Sequence, residues 1–361
     1  MKIPSSSLSF KLNNYKTKIK KKFIEIYKSE IFIKGKNVRK FERKLSKLFR
    51  AKYVISCGNG TDALRISLVA IGIKKNDLIA TAGNAGGYST IAIKSLNAKP
   101  IYYDTIKNNP NTSLELIKKI KKKIKAVIIT HLYGAACEDI ELIAKYCKKK
   151  KIFLIEDCAQ SIGVKLKNKC LGTYGDISTT SFYPTKNLGA LGDGGAIITN
   201  SKKNYINSVK LREYGWNKKY FFELANGQNS RLDEFQAGFL NIFINKLLNE
   251  NKKRVEIAKN FNEAINNKKI KKINFNFKAY NAHIYAILSK NRDILKEYLK
   301  KRGIQTEIHY PISDHKQITN KKNIINLFNT ENFTQEVLTI PCYLGLKKKE
   351  IKKIIKLIND F

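Results

Sequence analysis

Histidine is scarce in this sequence: there are four in 361 residues, and none are paired at metal-ligand spacing. No metal is therefore assigned. The six cysteines, Cys57, Cys137, Cys147, Cys158, Cys170 and Cys342, form no C-x-x-C pair and are scattered through apolar segments. They read as buried free thiols of a reducing compartment, not as a disulfide frame. The N-terminal MKIPSSSLSFKLNNYK has no apolar core of the signal-peptide kind, and no uncharged apolar run reaches bilayer-spanning length. A soluble cytoplasmic chain that does not engage a membrane is expected.

Acidic residues are also few, 29 against 70 Lys and Arg, for a formal net charge of +41. Clustered cations on that scale are what a nucleic-acid-binding protein carries. Here the basic runs are spread from Lys18 to Lys356, and lysine far outnumbers arginine. In LELIKKIKKKIK, Leu114, Ile117, Ile120 and Ile124 recur near helical spacing. In EIKKIIKLIND, Ile351, Ile354, Ile355 and Ile358 do the same, so lysine covers the outer face of core-facing helices. A solvated lysine surface is the expectation, with no nucleic-acid partner. The 43% hydrophobic content excludes a disordered basic tail. The length suits one large domain and a smaller one.

Residues 11–49 read as two polar helices separated by IFIKGKN. A regular alternation follows: strands YVISC, DLIATA, KPIYYD, KAVIITH and KIFLIED, separated by helices TDALRISLVAIGI, YSTIAIKSLN, SLELIKKIKKK and DIELIAKYCKKK. Apolar strands alternating with amphipathic helices predict a parallel sheet covered on both faces. Strands DISTTSFYP and GGAIITN come next, then helices near 201–213 and 231–266. From about residue 267 a smaller α/β domain is expected, with strand AHIYAILS and helices RDILKEYLKKRG and KKKEIKKIIKLIND. The division is placed at 1–248 and 249–361.

Ligands of open α/β sheets sit at the carboxyl ends of the strands, so the residues there deserve inspection. CGNGTDA follows the first strand and matches G-x-G-x-x-A through Gly58, Gly60 and Ala63. The acid a dinucleotide ribose needs should end the second strand, but Asp77 begins it, which speaks against a dehydrogenase. What survives is a glycine-lined helix N-terminus suited to one phosphate, with the Thr61 hydroxyl beside it. Asp157 ends the strand of LIEDCAQS, with Gln160 three residues on. Asp157 is either a helix N-cap or the partner of a protonated ring nitrogen.

Lys186 stands alone among small, aromatic and glycine residues in SFYPTKNLGALGDGG. A desolvated amine has a lowered pKa and becomes nucleophilic, suited to a Schiff base with an aldehyde; the alternative is a snorkelling lysine at a strand edge. Ser181 offers a hydroxyl to a phosphate. A phosphate loop, a carboxylate, a hydroxyl and a lone lysine, in that order along an α/β sheet, fit pyridoxal 5′-phosphate better than any other cofactor.

GNGTDAL, HLYG, IEDCAQSIG, GDISTTSFYPTKNLGALGDGGAIITN and NSRLDEFQAGFL closely resemble the DegT/StrS-type sugar aminotransferases. These are pyridoxal-phosphate enzymes of fold type I that act on keto-sugar nucleotides. The likeness runs from FIKGKNVRKFERKLSKLF to about residue 250 and returns more faintly at IHYPISDH and IPCYLGL. It implies a mostly parallel seven-stranded sheet flanked by helices, and roles residue by residue. Lys186 would hold the cofactor and then shuttle a proton, and Asp157 would keep the pyridinium nitrogen protonated. Gln160 would bond the ring hydroxyl oxygen, and Gly60, Thr61 and Ser181 would bind the phosphate. Asn229 would reach the phosphate in the neighbouring subunit of a homodimer with shared sites. Tyr183, Arg231, His309 and Tyr310 are candidates for substrate contacts; otherwise Arg231 is an ion-pair partner of Asp233 or Glu234, and the pair His309–Tyr310 is ordinary loop packing.

One departure stands out. The family pattern P-x-x-T-F-x-A-T is AGNAGGYST here, so Gly86 falls where a ring-stacking aromatic is expected. Tyr88 takes that role only if the helix start is shifted. The resemblance implies conversion of a nucleoside-diphosphate keto sugar to an amino sugar, with glutamate as donor and C3 preferred over C4. The intact lysine favours transamination over the family's dehydratases, in which histidine replaces it, and over an idle regulatory member.

Overall fold

The structure, a computed structural model, describes residues 2–317 and 325–361. The apolar runs become β1 (Tyr53–Cys57), β2 (Leu78–Ala82), β3 (Lys99–Tyr103), β4 (Ala126–Thr130), β5 (Phe153–Asp157), β6 (Ile177–Ser181) and β7 (Gly195–Thr199). They form one sheet in the order β1-β7-β6-β5-β4-β2-β3. Only β7 runs against its neighbours, β1 and β6; the other pairings are parallel. The mostly parallel seven-stranded sheet expected from the sequence is what forms.

All five residues of β4 are buried, so both faces of the sheet must be covered. On one face Ile55, Ile79, Ile128, Ile155 and Ile197 pack with α3 (Gly60–Ala70), α4 (Tyr88–Lys94) and α7 (Lys202–Leu211). On the other, Ala80, Val127, Ile129 and Leu154 meet Ile117 of α5 (Leu114–Lys118) and Ile140, Ile143 and Cys147 of α6 (Ile140–Lys150). A third cluster joins α1 (Ser9–Tyr27), α2 (Lys36–Phe49) and α8 (Glu234–Phe243) around Phe41, Phe182 and Phe243. All six cysteines are buried and free.

Two helix expectations are corrected. The third crossover helix stops at Lys118, so Ile120 and Ile124 are not on it. Beyond that point Lys118–Lys122, Lys119–Lys123 and Lys121–Lys125 would be like-charge pairs at i,i+4, each destabilising a helix; Ile124 is still buried as the chain enters β4. The span 231–266 is two helices, α8 and α9 (Leu247–Ala264), and Asp233 caps the first by accepting the Gln236 N–H at 2.8 Å.

After α9, β8 (Tyr285–Leu288) pairs antiparallel with β9 (Val337–Ile340). Around them lie α10 (Arg292–Lys301), α11 (Phe328–Glu336) and α12 (Lys348–Asn359). Ile354 and Ile358 of α12 are buried, while Lys348, Lys349, Lys352, Lys353 and Lys356 are exposed, as the lysine-exterior pattern requires. Ala258 and Phe261 of α9 join this second core, and the proposed division at 248/249 falls in the first turn of that helix. No helix among the described residues is long and apolar enough to cross a membrane.

Candidate active site

Thr130, Asp157 and Ser181 are the last residues of β4, β5 and β6. The strands are parallel, so these three side chains converge at one edge of the sheet, where α3 also begins. A cavity of about 340 Å³ opens there. Of the twelve expected site residues, it brings together Gly60, Thr61, Tyr88, Asp157, Gln160, Ser181, Tyr183, Lys186, His309 and Tyr310. A larger cavity of about 480 Å³, between residues 106–112 and 272–279, contains none of them.

One end of the cavity is built for an anion. The Asn59 side chain accepts the Asp62 N–H at 2.8 Å, and its carbonyl accepts the Ala63 N–H at 3.1 Å. No protein acceptor among the described residues takes the N–H of Gly60 or Thr61, so these two groups are part of the positive end of the helix dipole. A Cβ on Gly60 would lie 2.8 Å from Cβ of Ser181; the glycine is what lets the serine hydroxyl reach the helix terminus. Gly60→Ala should therefore separate Ser181 from α3 and raise the dissociation constant of a phosphate group held there by about tenfold, roughly 1.4 kcal/mol. Its melting temperature should stay near wild type. Equilibrium dialysis with a parallel thermal melt checks both.

The other end is built for a cation. Asp157 is buried; its Oδ1 accepts the Ala159 N–H at 3.0 Å and its Oδ2 the Thr130 hydroxyl at 3.4 Å. No helix follows it, which removes the helix-cap alternative. Burial pushes its carboxyl above the usual range, opposed by the Ala159 N–H and by Lys186. Among the described residues no cation makes a direct ion pair with this carboxylate, and Lys186 is the cation whose charge it feels. Gln160 is oriented by the Tyr133 N–H, which donates to Oε1 at 2.6 Å, and its Nε2 donates to the Tyr310 hydroxyl at 3.1 Å.

Lys186 lies between these ends. Its loop is pinned by buried Phe182 and Leu188 and by the Lys186 N–H, which donates to the Tyr183 carbonyl at 2.8 Å. The side chain is only partly exposed, and it lines the cavity. Burial lowers its amine to about 8, against the opposing pull of Asp157. That is the desolvated, nucleophilic amine expected from the surrounding residues.

The remaining expected residues divide. Tyr88 is the first residue of α4, half exposed, and meets Tyr310 edge to face at 6.2 Å. His309 Nδ1 lies 3.0 Å from the Thr339 hydroxyl. Asn229 is exposed and Arg231 partly so, and neither lines this cavity. Asp233 caps α8 and Glu234 accepts from Asn37 and Val38, so neither is the ion-pair partner suggested for Arg231. Sequence reasoning missed Thr130, which the strand-end rule would have caught, and His283, for which there was no local signal. His283 enters from just before β8, bonded through Nδ1 to Asn187 Oδ1 at 3.2 Å.

Known proteins bear on this geometry. Residues 13–359 match the DegT/DnrJ/EryC1/StrS aminotransferase family. The chain is 37% identical over 350 residues to a dTDP-3-amino-3,6-dideoxy-alpha-D-galactopyranose transaminase of Aneurinibacillus thermoaerophilus, covering 96% of each. It is 33% identical over 371 residues to a pleiotropic regulatory protein of Geobacillus stearothermophilus, covering 100% of this chain and 99% of that one. Among solved structures, a DegT DnrJ EryC1 StrS aminotransferase from Brucella abortus superposes with a TM-score of 0.94 at 29% identity, covering 99% of each.

Proposed function

The chain belongs to the DegT/DnrJ/EryC1/StrS aminotransferase family, and within it we propose an enzyme that aminates C3 of a nucleoside-diphosphate keto sugar with glutamate as donor. That it is a pyridoxal-phosphate-dependent nucleotide-sugar aminotransferase is the premise; the ring carbon, the donor and the residue roles are the proposal. The observation that carries it is the convergence of Lys186, Asp157, Gln160, Ser181 and the α3 terminus on one cavity.

The residues fit the cofactor. The N–H groups of Gly60 and Thr61 and the Ser181 hydroxyl would hold its phosphate, and the glycine cradle leaves room for it. Asp157 would hold the proton on the ring nitrogen, a role suited to a buried carboxylate. Gln160, fixed by Tyr133, has Nε2 available for the ring oxygen. Pyridoxal phosphate supplies an electron-withdrawing ring when bound. Lys186 would anchor it and, as a neutral amine, would carry the proton between the cofactor carbon and the substrate carbon. An amine at about 8 is close enough to neutrality to work in both directions.

Tyr183, Arg231, His309 and Tyr310 are proposed to contact the sugar nucleotide, with half-exposed Tyr183 at the mouth. Asn229 would reach the phosphate held by a second copy of the chain in a homodimer. Exposed Phe23, Tyr27 and Phe32 and the ribbon aromatics Tyr220, Phe221 and Phe222 support such an interface. A cytoplasmic setting belongs to the same reading. The C3 assignment is supported by the Aneurinibacillus relative, which is named for a 3-amino sugar.

The test is a panel of 3-keto and 4-keto sugar nucleotides with glutamate, the products identified by mass and NMR. Amination at C3 supports the reading, and amination at C4 moves it. Failure to turn over any keto sugar while holding the cofactor would favour a regulatory role, the second reading, which the name of the Geobacillus relative keeps in view.

A further inference from the structure

We propose that Tyr310 is the aromatic side chain that covers one face of the cofactor ring, and that Asp314 locks it in place across the cavity mouth. The proposal rests on the pyridoxal-phosphate reading above. Its starting point is the segment AGNAGGYST, which has glycine where an aromatic side chain is expected. Gly86 has φ +78°, a conformation that L side chains rarely adopt, and a Cβ built on it would lie 2.9 Å from Cε1 and Cζ of Tyr310. The space a side chain at 86 would enter is filled by the ring of Tyr310. The aromatic wall has not been lost; it arrives from 224 residues further along the chain.

Three contacts fix that ring. Its hydroxyl accepts from Gln160 Nε2 at 3.1 Å, which brings it to the level of the group assigned to the cofactor's ring oxygen. Tyr88 meets it edge to face at 6.2 Å with an interplanar angle of 74°. Tyr88 thus braces Tyr310 from the mouth, where it is itself half exposed. The Tyr133 hydroxyl donates to the His309 carbonyl, tying down the residue before it.

Asp314, four residues on and buried, closes the arrangement. Its Oδ1 accepts the Gly87 N–H at 2.9 Å and its Oδ2 the Thr90 hydroxyl at 3.3 Å. Its own N–H donates to the Gly83 carbonyl at 2.7 Å. Gly87, at φ +82°, turns its N–H toward this carboxylate. Each glycine of the pair then has its own reason: Gly86 admits the ring, and Gly87 presents a donor to the lock. Asp314 touches no reacting atom and acts as a positioning residue.

The experiment measures pyridoxal-phosphate affinity by titrating apoprotein, following the absorbance and circular dichroism of the lysine-bound cofactor, with a thermal melt of each variant. Tyr310→Leu, which fills the space without a ring, should raise the dissociation constant about tenfold, the size expected for one ring contact with its buried area. Tyr310→Phe should stay within about threefold, and so should Tyr88→Ala. Asp314→Ala should weaken binding in the presence of Tyr310 and change little when combined with Tyr310→Leu, because a lock has no effect without what it holds. Wild-type protein that forms no lysine-bound cofactor would overturn the functional reading itself. Normal cofactor capture by wild type, with Tyr310→Leu unchanged or with the loss appearing in Tyr88→Ala instead, would overturn this proposal alone.

Discussion

Lys186→Ala is expected to lower transamination by on the order of 10³-fold or more, because on the proposed roles it removes both the anchor of the cofactor and the group that moves the proton. The fold should survive. Phe182 and Leu188 hold the loop, and the backbone bonds of residues 182, 186 and 190 do not involve the amine. At pH 7 an amine with a pKa of about 8 is neutral in about one molecule in ten, against roughly one in three thousand for an unperturbed lysine. The rate of cofactor capture by apoprotein should therefore rise about tenfold per pH unit up to pH 8 and flatten above it. The folded-state pKa lies below the unfolded one, so stability rises with pH between about 8 and 10.5 and is reduced below 8. Below pH 8, Lys186→Ala should then melt no lower than wild type. Borohydride trapping of the cofactor on Lys186, followed by mass spectrometry, and single-turnover kinetics are the measurements. Retention of more than about 1% of turnover in the alanine variant would remove Lys186 from this role.

The alternation of apolar runs placed most of the sheet, because strands buried on both faces are mainly apolar; β6, ISTTS, is the polar exception. The strand-end rule then placed Asp157 and Ser181. Lys186 was legible because it breaks the chain's own habit of keeping lysine outside. What stayed hidden depends on long-range return of the chain. His283 reaches the cavity from just before β8, and nothing in NAHIYAILS says which side of the fold it will face; Tyr310 was reached only through the resemblance carried by IHYPISDH. Helix α5 stops early because of repulsion among side chains on one turn, which an apolar periodicity does not weigh. Glu156 was invisible for another reason: in LIED it looks like a second acid beside Asp157, yet the two point to opposite faces of β5 and do different work.

Glu156→Ala is the stability counterpart to Lys186→Ala. Glu156 is fully buried; Oε1 accepts the N–H groups of Tyr174 and Gly175 at 2.6 and 2.8 Å, and Oε2 that of Gly172 at 2.8 Å. His131 Nε2 lies 3.1 Å from Oε2, and its Nδ1 accepts the Cys137 N–H at 3.1 Å, so Nε2 carries the proton and donates. With Cys158 these side chains form the one metal-like grouping among the described residues. Four donors already occupy the carboxylate, which gives it a structural task without an ion. Alanine would strand all four at about 1–3 kcal/mol for each unsatisfied buried group, a large part of a typical stability of ~5–15 kcal/mol. A fall in melting temperature of at least about 10 °C is expected. Glutamine should not rescue it. One amide position must be a donor, facing either Gly172 and His131 or Tyr174 and Gly175, and the Cys137 N–H keeps His131 from switching tautomer. The backbone N–H of His131 donates to the Asp157 carbonyl at 3.1 Å, so loosening this knot should weaken cofactor binding in whatever protein remains folded. If Glu156→Ala melts within about 2 °C of wild type, the buried network does not hold the end of β5.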